Sequence, residues 1–355
     1  MRVAVIGASG NVGTALLRRF VDDQTITSVL AIARRPPPQR VLDTDDLPSP
    51  YDVASWVRCD VGAPADRELT VNRLAAALLG ADAVVHLAWA LHPAHDRAAQ
   101  RRTNVRGTRV VADAVLRAGV PHLVVASSVG VYSPAPDAGP RSEDWPTGGV
   151  RSCAYSADKV AAERVLDEIE LLHPDLVVAR VRPALVFQAA AGRQVTRNFL
   201  GALFPTRLLA RELPVLPWPR GSKVQAVHAA DLAAAIREVV VRRQRGAFNV
   251  AAADVLRGED LAVMMAGGRL RELSPAVARA VVAAAWHARL VPVSPGWMDL
   301  AASAPVLDCT RAHHLLGWQP TRSSAESVAE VLAGIAQGAG TASPPLRPRR
   351  GTSPG

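Results

Sequence analysis

A chain of 355 residues, 49% hydrophobic and 21% charged, is long enough to bury one large core or two adjoining ones, and its composition excludes a disordered, collagenous or disulfide-stapled protein. The net charge of +9 carries little nucleic-acid meaning, because the arginines are scattered through amphipathic patterns and bunch in Pro344-Pro345-Leu346-Arg347-Pro348-Arg349-Arg350. Cys59, Cys153 and Cys309 are odd in number and lack metal-ligand spacing, which predicts reduced thiols, no disulfide framework and no metal.

The first apolar run, Arg2-Val3-Ala4-Val5-Ile6, meets Gly7 too soon for the apolar region of a secretory leader, so a cytoplasmic location is expected. Strands are predicted at Val3–Ile6, Ser28–Ala33, Ser55–Cys59, Ala83–Leu87, Leu123–Ala126 and Leu176–Val181, with helices near Val12–Val21, Glu68–Leu79, Arg97–Arg117 and Ala154–Leu172. This alternation predicts an α/β fold, a Rossmann-type doubly wound parallel sheet with right-handed crossovers. After Pro183 the alternation breaks down, although Val224–His228 and Ala247–Val250 read as strands around a helix Ala230–Arg243. Residues 1–182, with 224–251 returning to them, are therefore expected to bind a dinucleotide. Residues 183–223 and 252–337 are expected to form a smaller, mostly helical substrate domain, and 338–355 a disordered tail. The apolar stretch Ala276 to Val293 is interrupted by Arg279, His287 and Arg289, so it predicts a buried or partner-facing helix and no membrane span, with peripheral membrane contact as the lesser alternative.

Gly7-Ala8-Ser9-Gly10-Asn11-Val12-Gly13 lies between the first strand and a helix. That spacing permits a tight turn, close backbone approach to a pyrophosphate and snug helix-on-strand packing, while the helix N-terminus favours the anion. Gly7, Ser9, Gly10, Asn11, Val12 and Gly13 are the candidate contacts. The end of the second strand reads Ala33-Arg34-Arg35, where a carboxylate would select NAD; two cations suit the 2′-phosphate of NADP, with NAD as the alternative. Asp60, followed by Val61 at the third strand tip, is a candidate acceptor for the adenine amino group or an ordinary turn aspartate. Leu87, Ala88 and Trp89 end the fourth strand, where the sheet should border the cofactor.

Only two lysines occur, and Lys159 follows Tyr155 by four residues in Ser152-Cys153-Ala154-Tyr155-Ser156-Ala157-Asp158-Lys159. Four residues apart on a helix, phenol and ammonium share one face. A nearby cation favours the phenolate and lowers a tyrosine pKa from about 10, so the pair predicts proton-transfer chemistry. Cys153 is expected to be a small buried hydrophobe.

Together with these residues, His86-Leu87-Ala88, Asn104-Val105-Arg106-Gly107-Thr108, Ser127-Ser128, Arg182-Pro183-Ala184-Leu185-Val186, Val227-His228-Ala229-Ala230-Asp231-Leu232, Gly246-Ala247-Phe248-Asn249 and Leu316-Gly317-Trp318-Gln319-Pro320 make residues 1–335 resemble the extended short-chain dehydrogenases/reductases, the NAD-dependent epimerase/dehydratase family. The resemblance implies a catalytic hydroxyl at Ser128, with Ser127 as the alternative register, a site-organising Asn104, a structural Tyr132, and cofactor contacts from Pro183 and Val186. It implies hydride transfer between NADP(H) and a carbonyl or alcohol, with Tyr155 moving the proton, Ser128 polarising the oxygen and Lys159 holding the ribose. Nucleotide-sugar members carry a diphosphate-gripping arginine just before the Val227-His228 motif and another near the C-terminus. Here Val224-Gln225-Ala226-Val227-His228, with Lys223 and Arg220 nearby, and Gly296-Trp297-Met298-Asp299-Leu300-Ala301-Ala302-Ser303 stand in those places, which predicts a less charged small-molecule substrate. Sugar dehydratases place acids after the catalytic hydroxyl, whereas Val129-Gly130 follow Ser128, so dehydration is disfavoured. Two alternatives stay open, an epimerase retaining NAD and a non-catalytic NADP-binding sensor. His92 and His95 are candidates to orient substrate, with solvated loop histidines as the alternative. Trp286, His287, Trp297 and Met298 line a substrate cavity or merely pack. The two long helices offer a two-fold pairing face, so a homodimer is admitted but not fixed.

Overall fold

A computed structural model of the chain describes residues 1–37, 48–63, 66–91, 95–201 and 212–348. Seven parallel strands run, from one edge to the other, Ala54–Arg58, Ser28–Ala33, Arg2–Ile6, Ala83–His86, His122–Ala126, Val177–Pro183 and Gly246–Val250. The strands are near-continuous apolar runs because both faces of the sheet are covered. Successive side chains alternate between two cores. Val3, Val5 and Ala31 face the helices Asn11–Phe20 and Ala229–Val241, where Leu16, Leu17, Phe20, Leu232 and Ile236 bury. Ala4, Ile6 and Ile32 face the opposite layer of Arg67–Leu78, Gly107–Arg117 and Ala154–Leu172, packing on Val71, Leu74, Val111, Val115 and Leu166.

Strand order reverses between Arg2–Ile6 and Ala83–His86, the place where a doubly wound sheet opens a crevice at its carboxyl ends. Later segments return to this frame. The Trp318 indole donates to the Asp231 carbonyl at 2.8 Å, and Thr321 donates to the Asp231 carboxylate at 2.6 Å, tying the C-terminal helices to Ala229–Val241.

Two expectations need correction. The helix expected over Arg97–Arg117 is interrupted by a π turn, Arg102–Arg106, whose extra residue turns Asn104 into the interior. The tail, expected to be disordered, packs over its described part as far as Pro348. Ser343 and Leu346 are fully buried, the Ser343 hydroxyl donates to the Ser9 carbonyl at 2.6 Å, and Tyr51 donates to Thr341 at 2.7 Å. Residues 349–355 lie outside the described residues. A segment held by one leucine and a few hydroxyl bonds has no apolar period to betray it. Among the described residues no helix is long and apolar enough to cross a membrane, and no three His, Cys, Asp or Glu side chains converge as a metal would require.

Candidate active site

The glycine turn is fixed by steric demand. Gly7 has φ +93°, and a Cβ there would lie 2.6 Å from the Ala88 nitrogen; one on Gly13 would lie 2.5 Å from the Gly7 carbonyl. The Gly7 N–H donates to Ile32 at 2.7 Å and the Leu87 N–H to Ile6 at 2.7 Å, so the turn and the Leu87–Trp89 segment border one crevice. The helix Asn11–Phe20 begins there without an acid in its first turn, which leaves its N-terminal N–H groups suited to an anion. Asn11 donates to the Val186 carbonyl at 3.2 Å and accepts from Gln188 at 2.6 Å, while Ser9 is buried and Val12 partly buried against the core. Pro183 is buried at the end of its strand.

At the outer end, Arg34 and Arg35 are exposed, and Arg34 reaches within 4.0 Å of the Asp60 carboxylate. Asp60 also caps its own turn, accepting from the Gly62 N–H at 3.0 Å, and buried Val61 packs where a Cβ on Gly107 would be 3.0 Å away. Arg197, from a distant segment, joins this cluster: burial, then the charges of Arg35 and Arg193, push its pKa down. Nothing in the sequence pattern singled Arg197 out. The turn, the helix terminus and this cationic cluster fit the pyrophosphate and adenosine-side charge of a nicotinamide dinucleotide.

Tyr155 and Lys159 share one face of Ala154–Leu172, as their spacing predicts. Lys159 Nζ donates to the Ala126 carbonyl at 2.8 Å, at the carboxyl end of its strand. Buried Ser128 lies on the Tyr155 side of its turn, its Oγ accepting from the Gly130 N–H at 3.0 Å and lying 3.5 Å from where a Gly130 Cβ would stand. A Cβ on Gly130 would lie 3.1 Å from the Tyr155 ring, so this glycine lets the ring approach the turn. Ser127 faces elsewhere: it donates to Glu163, which forms a buried bidentate pair with Arg182 at 2.9 and 2.6 Å. Of the two registers, Ser128 is the one that meets the Tyr155 ring at Gly130. Tyr132 belongs to the same buried network, donating to Asn249 at 2.6 Å and accepting from Arg182 at 3.1 Å.

Asn104 accepts from the Ala90 N–H at 2.8 Å and donates to the Ala90 carbonyl at 3.0 Å, so it clamps the backbone that follows Trp89. It also donates to Asp158 at 3.2 Å, a fully buried carboxylate held bidentately by Arg97 at 2.7 and 2.9 Å.

The electrostatics differ from expectation. Burial pushes the Tyr155 phenol up to about 12, with the neighbouring Ser128 opposing the shift, and burial pushes the Lys159 ammonium down to about 7. The net direction is opposite to the acidification expected from the spacing, because burial dominates. The lysine ammonium lies 5.9 Å from the centroid of the phenol ring but only 3.5 Å from that of Trp89, and Lys159 is buried whereas Tyr155 is partly buried. His86, below them, is held neutral by burial, its pKa down at about 3, with its Nε2 3.3 Å from the Thr108 hydroxyl. Cys153 is fully buried beside Val150 and Leu300, its thiol pushed up by burial.

The outer face of Tyr155 is aromatic. Trp297 stacks on its ring at 4.8 Å, Phe199 meets Trp297 edge-on at 5.3 Å, and Trp89 meets Tyr155 edge-on at 6.0 Å. Beside them opens a cleft of about 430 Å³, walled by His95 stacked on Trp286 at 3.6 Å and by Arg97, Ser152, Arg279 and Gly296. His287 is exposed, Met298 partly buried, and His92 lies outside the described residues. Phe199 was missed because its neighbours come from segments almost a hundred residues away, and no local pattern records that meeting.

The family model for the NAD-dependent epimerase/dehydratase family matches residues 3–251. The chain belongs to this family. Among the family's curated proteins, the sterol-4-alpha-carboxylate 3-dehydrogenase (decarboxylating) of Saccharomyces cerevisiae is 30% identical over 190 residues, 52% of this chain; the match spans only about half (51%) of the yeast enzyme. The UDP-glucose 4-epimerase of Mycolicibacterium smegmatis is 29% identical over 350 residues, 94% of this chain and 97% of that protein. Among solved structures, a dTDP-glucose 4,6-dehydratase from Streptomyces venezuelae, with NAD bound, superposes with a TM-score of 0.68 at 20% identity, over 94% of this chain and 96% of the other. That likeness shares the fold. The family is one of NAD-dependent enzymes.

Proposed function

We propose that the chain is an oxidoreductase that moves hydride between NADP(H) and a carbonyl or alcohol on a flat, largely apolar small molecule. The observation that carries this is the meeting of Ser128 and Tyr155 at Gly130, where a Cβ would lie 3.5 Å from the serine Oγ and 3.1 Å from the tyrosine ring, with Lys159 on the same helix face and the aromatic rings of Trp297 and Phe199 on the outer side, next to the cleft that Trp286 lines. Those three aromatics come from the segments 183–223 and 252–337, which we assign to substrate binding. The aromatic walls favour an apolar ring system, and the diphosphate-gripping arginines of nucleotide-sugar enzymes are missing from their expected sequence positions.

The bound nicotinamide supplies or accepts the hydride. Tyr155, protonated at neutral pH because its burial holds the pKa near 12, donates a proton to the substrate oxygen during reduction. Ser128 donates a hydrogen bond to that same oxygen as negative charge grows on it. Lys159 offers its ammonium to the ribose hydroxyls, Asn104 fixes the adjoining loop, and Gly7, Gly10 and Gly13 admit the pyrophosphate to the helix terminus. Arg34 and Arg35 would hold the 2′-phosphate, and Asp60 would accept from the adenine amino group.

A screen of polycyclic ketones, simple ketones and sugar nucleotides with NADPH and NADH side by side tests this. NADPH consumption with polycyclic ketones is expected; turnover only with sugar nucleotides refutes the substrate class. In the same assay Arg34→Ser with Arg35→Ser should lower the NADPH-over-NADH preference by about tenfold. A second reading is favoured by the near-full-length similarity to the UDP-glucose 4-epimerase. An epimerase would retain its dinucleotide through purification and consume no added NADPH.

A further inference from the structure

One face of the Lys159 ammonium is covered by a side chain of the same crevice. Trp89 follows Ala88, whose backbone nitrogen abuts Gly7, so its indole starts at the mouth of the cofactor site. The ring centroid lies 3.5 Å from Lys159 Nζ, and among the described residues the ammonium's one hydrogen bond is to the Ala126 carbonyl. Neighbouring carboxylates do not compete: Asp158 is held by Arg97 and Asn104, and Glu163 by Arg182 and Ser127. The indole N–H is buried without a partner among the described residues, so this seat leaves a donor unsatisfied and is one the side chain can leave. Its backbone is less free. Asn104 clamps Ala90 through both its N–H and its carbonyl, and Gln100 donates to the Leu91 carbonyl at 2.9 Å, so movement falls to the tryptophan side-chain torsions.

We propose that Trp89 is an indole lid on Lys159, which the dinucleotide ribose must displace by side-chain rotation before the site is complete. This rests on the redox reading above. The indole and the ribose hydroxyls compete for the same ammonium face, and the measured affinity is reduced by the fraction of molecules in which the lid is down. The low pKa of the buried Lys159 agrees with an ammonium shielded from water.

The test measures NADPH and NADP⁺ binding by calorimetry for wild type, Trp89→Ala and Trp89→Leu, the leucine keeping apolar bulk without the π face. In parallel, amine-reactive labelling followed by mass spectrometry compares Lys159 with Lys223, the only other lysine and hence an internal reference. The lid predicts dinucleotide binding tighter by about tenfold in both variants and Lys159 labelling faster by about tenfold relative to Lys223. Equal or weaker binding in the variants overturns the lid while leaving the redox reading intact, because the indole would then be a wall or a stacking partner of the pyridine. Unchanged Lys159 labelling overturns the shielding. Failure of wild type and both variants to bind either dinucleotide overturns the redox reading, and the lid with it.

Discussion

Around Gly7 to Gly13 the crevice is shaped by backbone, whereas around Tyr155 it is shaped by side chains brought from five segments of the chain. At the glycine end a missing Cβ at two positions decides the geometry, and the spacing of those glycines in the sequence reports it. At the tyrosine end Trp89, Phe199 and Trp297 gather with Ser128 and Lys159 around Tyr155, and their burial makes the tyrosine harder to ionise and the lysine easier to neutralise. Spacing reports which groups share a helix face. It does not report how much water surrounds them, and water content sets the direction of a pKa shift.

The sharpest separation of the two ends is Tyr155→Phe, which should lower turnover by about three orders of magnitude while the dinucleotide dissociation constant stays within about twofold, read by steady-state kinetics and calorimetry. Gly7→Ala acts on the other end: the Cβ clash with Ala88 and the φ of +93° should lower stability by about 3 kcal/mol and abolish measurable dinucleotide binding, read by denaturant unfolding and calorimetry. Next in size, Ser128→Ala should reduce turnover about a hundredfold, and Ser127→Ala should reduce it less than tenfold while destabilising the Glu163–Arg182 network. Equal losses from the two serines would erase the distinction between phenol partner and structural hydroxyl.

The smallest effect is a pH dependence of stability. His86 has a folded pKa of about 3 against about 6.5 unfolded, so the unfolded chain binds the extra proton in between. Its contribution is fully present above pH 6.5 and is lost as pH falls toward 3. His86→Gln should flatten that part of the curve, shifting the relative melting temperature at pH 4 by a few degrees. Lys159, with a folded pKa near 7, adds the same sign at higher pH: stability rises from about pH 7 to about 10.5.

Much of the frame was legible because the strands are fully covered. Ser28–Ala33 and the helix Ala154–Leu172 lie where apolar runs and periodicity put them, and the glycine turn sits between its strand and helix. The π turn at Asn104 was not legible, since one inserted residue leaves the helical pattern nearly intact and only the Ala90 bonds explain it. The packed Ser343–Leu346 segment and the arrival of Arg197 beside Arg35 were hidden for a different reason. Both depend on tertiary neighbours far away in sequence, with no periodic signature of their own.

The most direct test follows deuterium from 4-deuterated NADPH into the product alcohol, with the polycyclic ketone panel, wild type and Tyr155→Phe. Label on the carbinol carbon with wild type, and at least a hundredfold less with the variant under saturating cofactor, is the predicted result. Equal label in the two proteins, or none from a wild type that has bound its dinucleotide, contradicts Tyr155 as the proton donor of a hydride-transfer site.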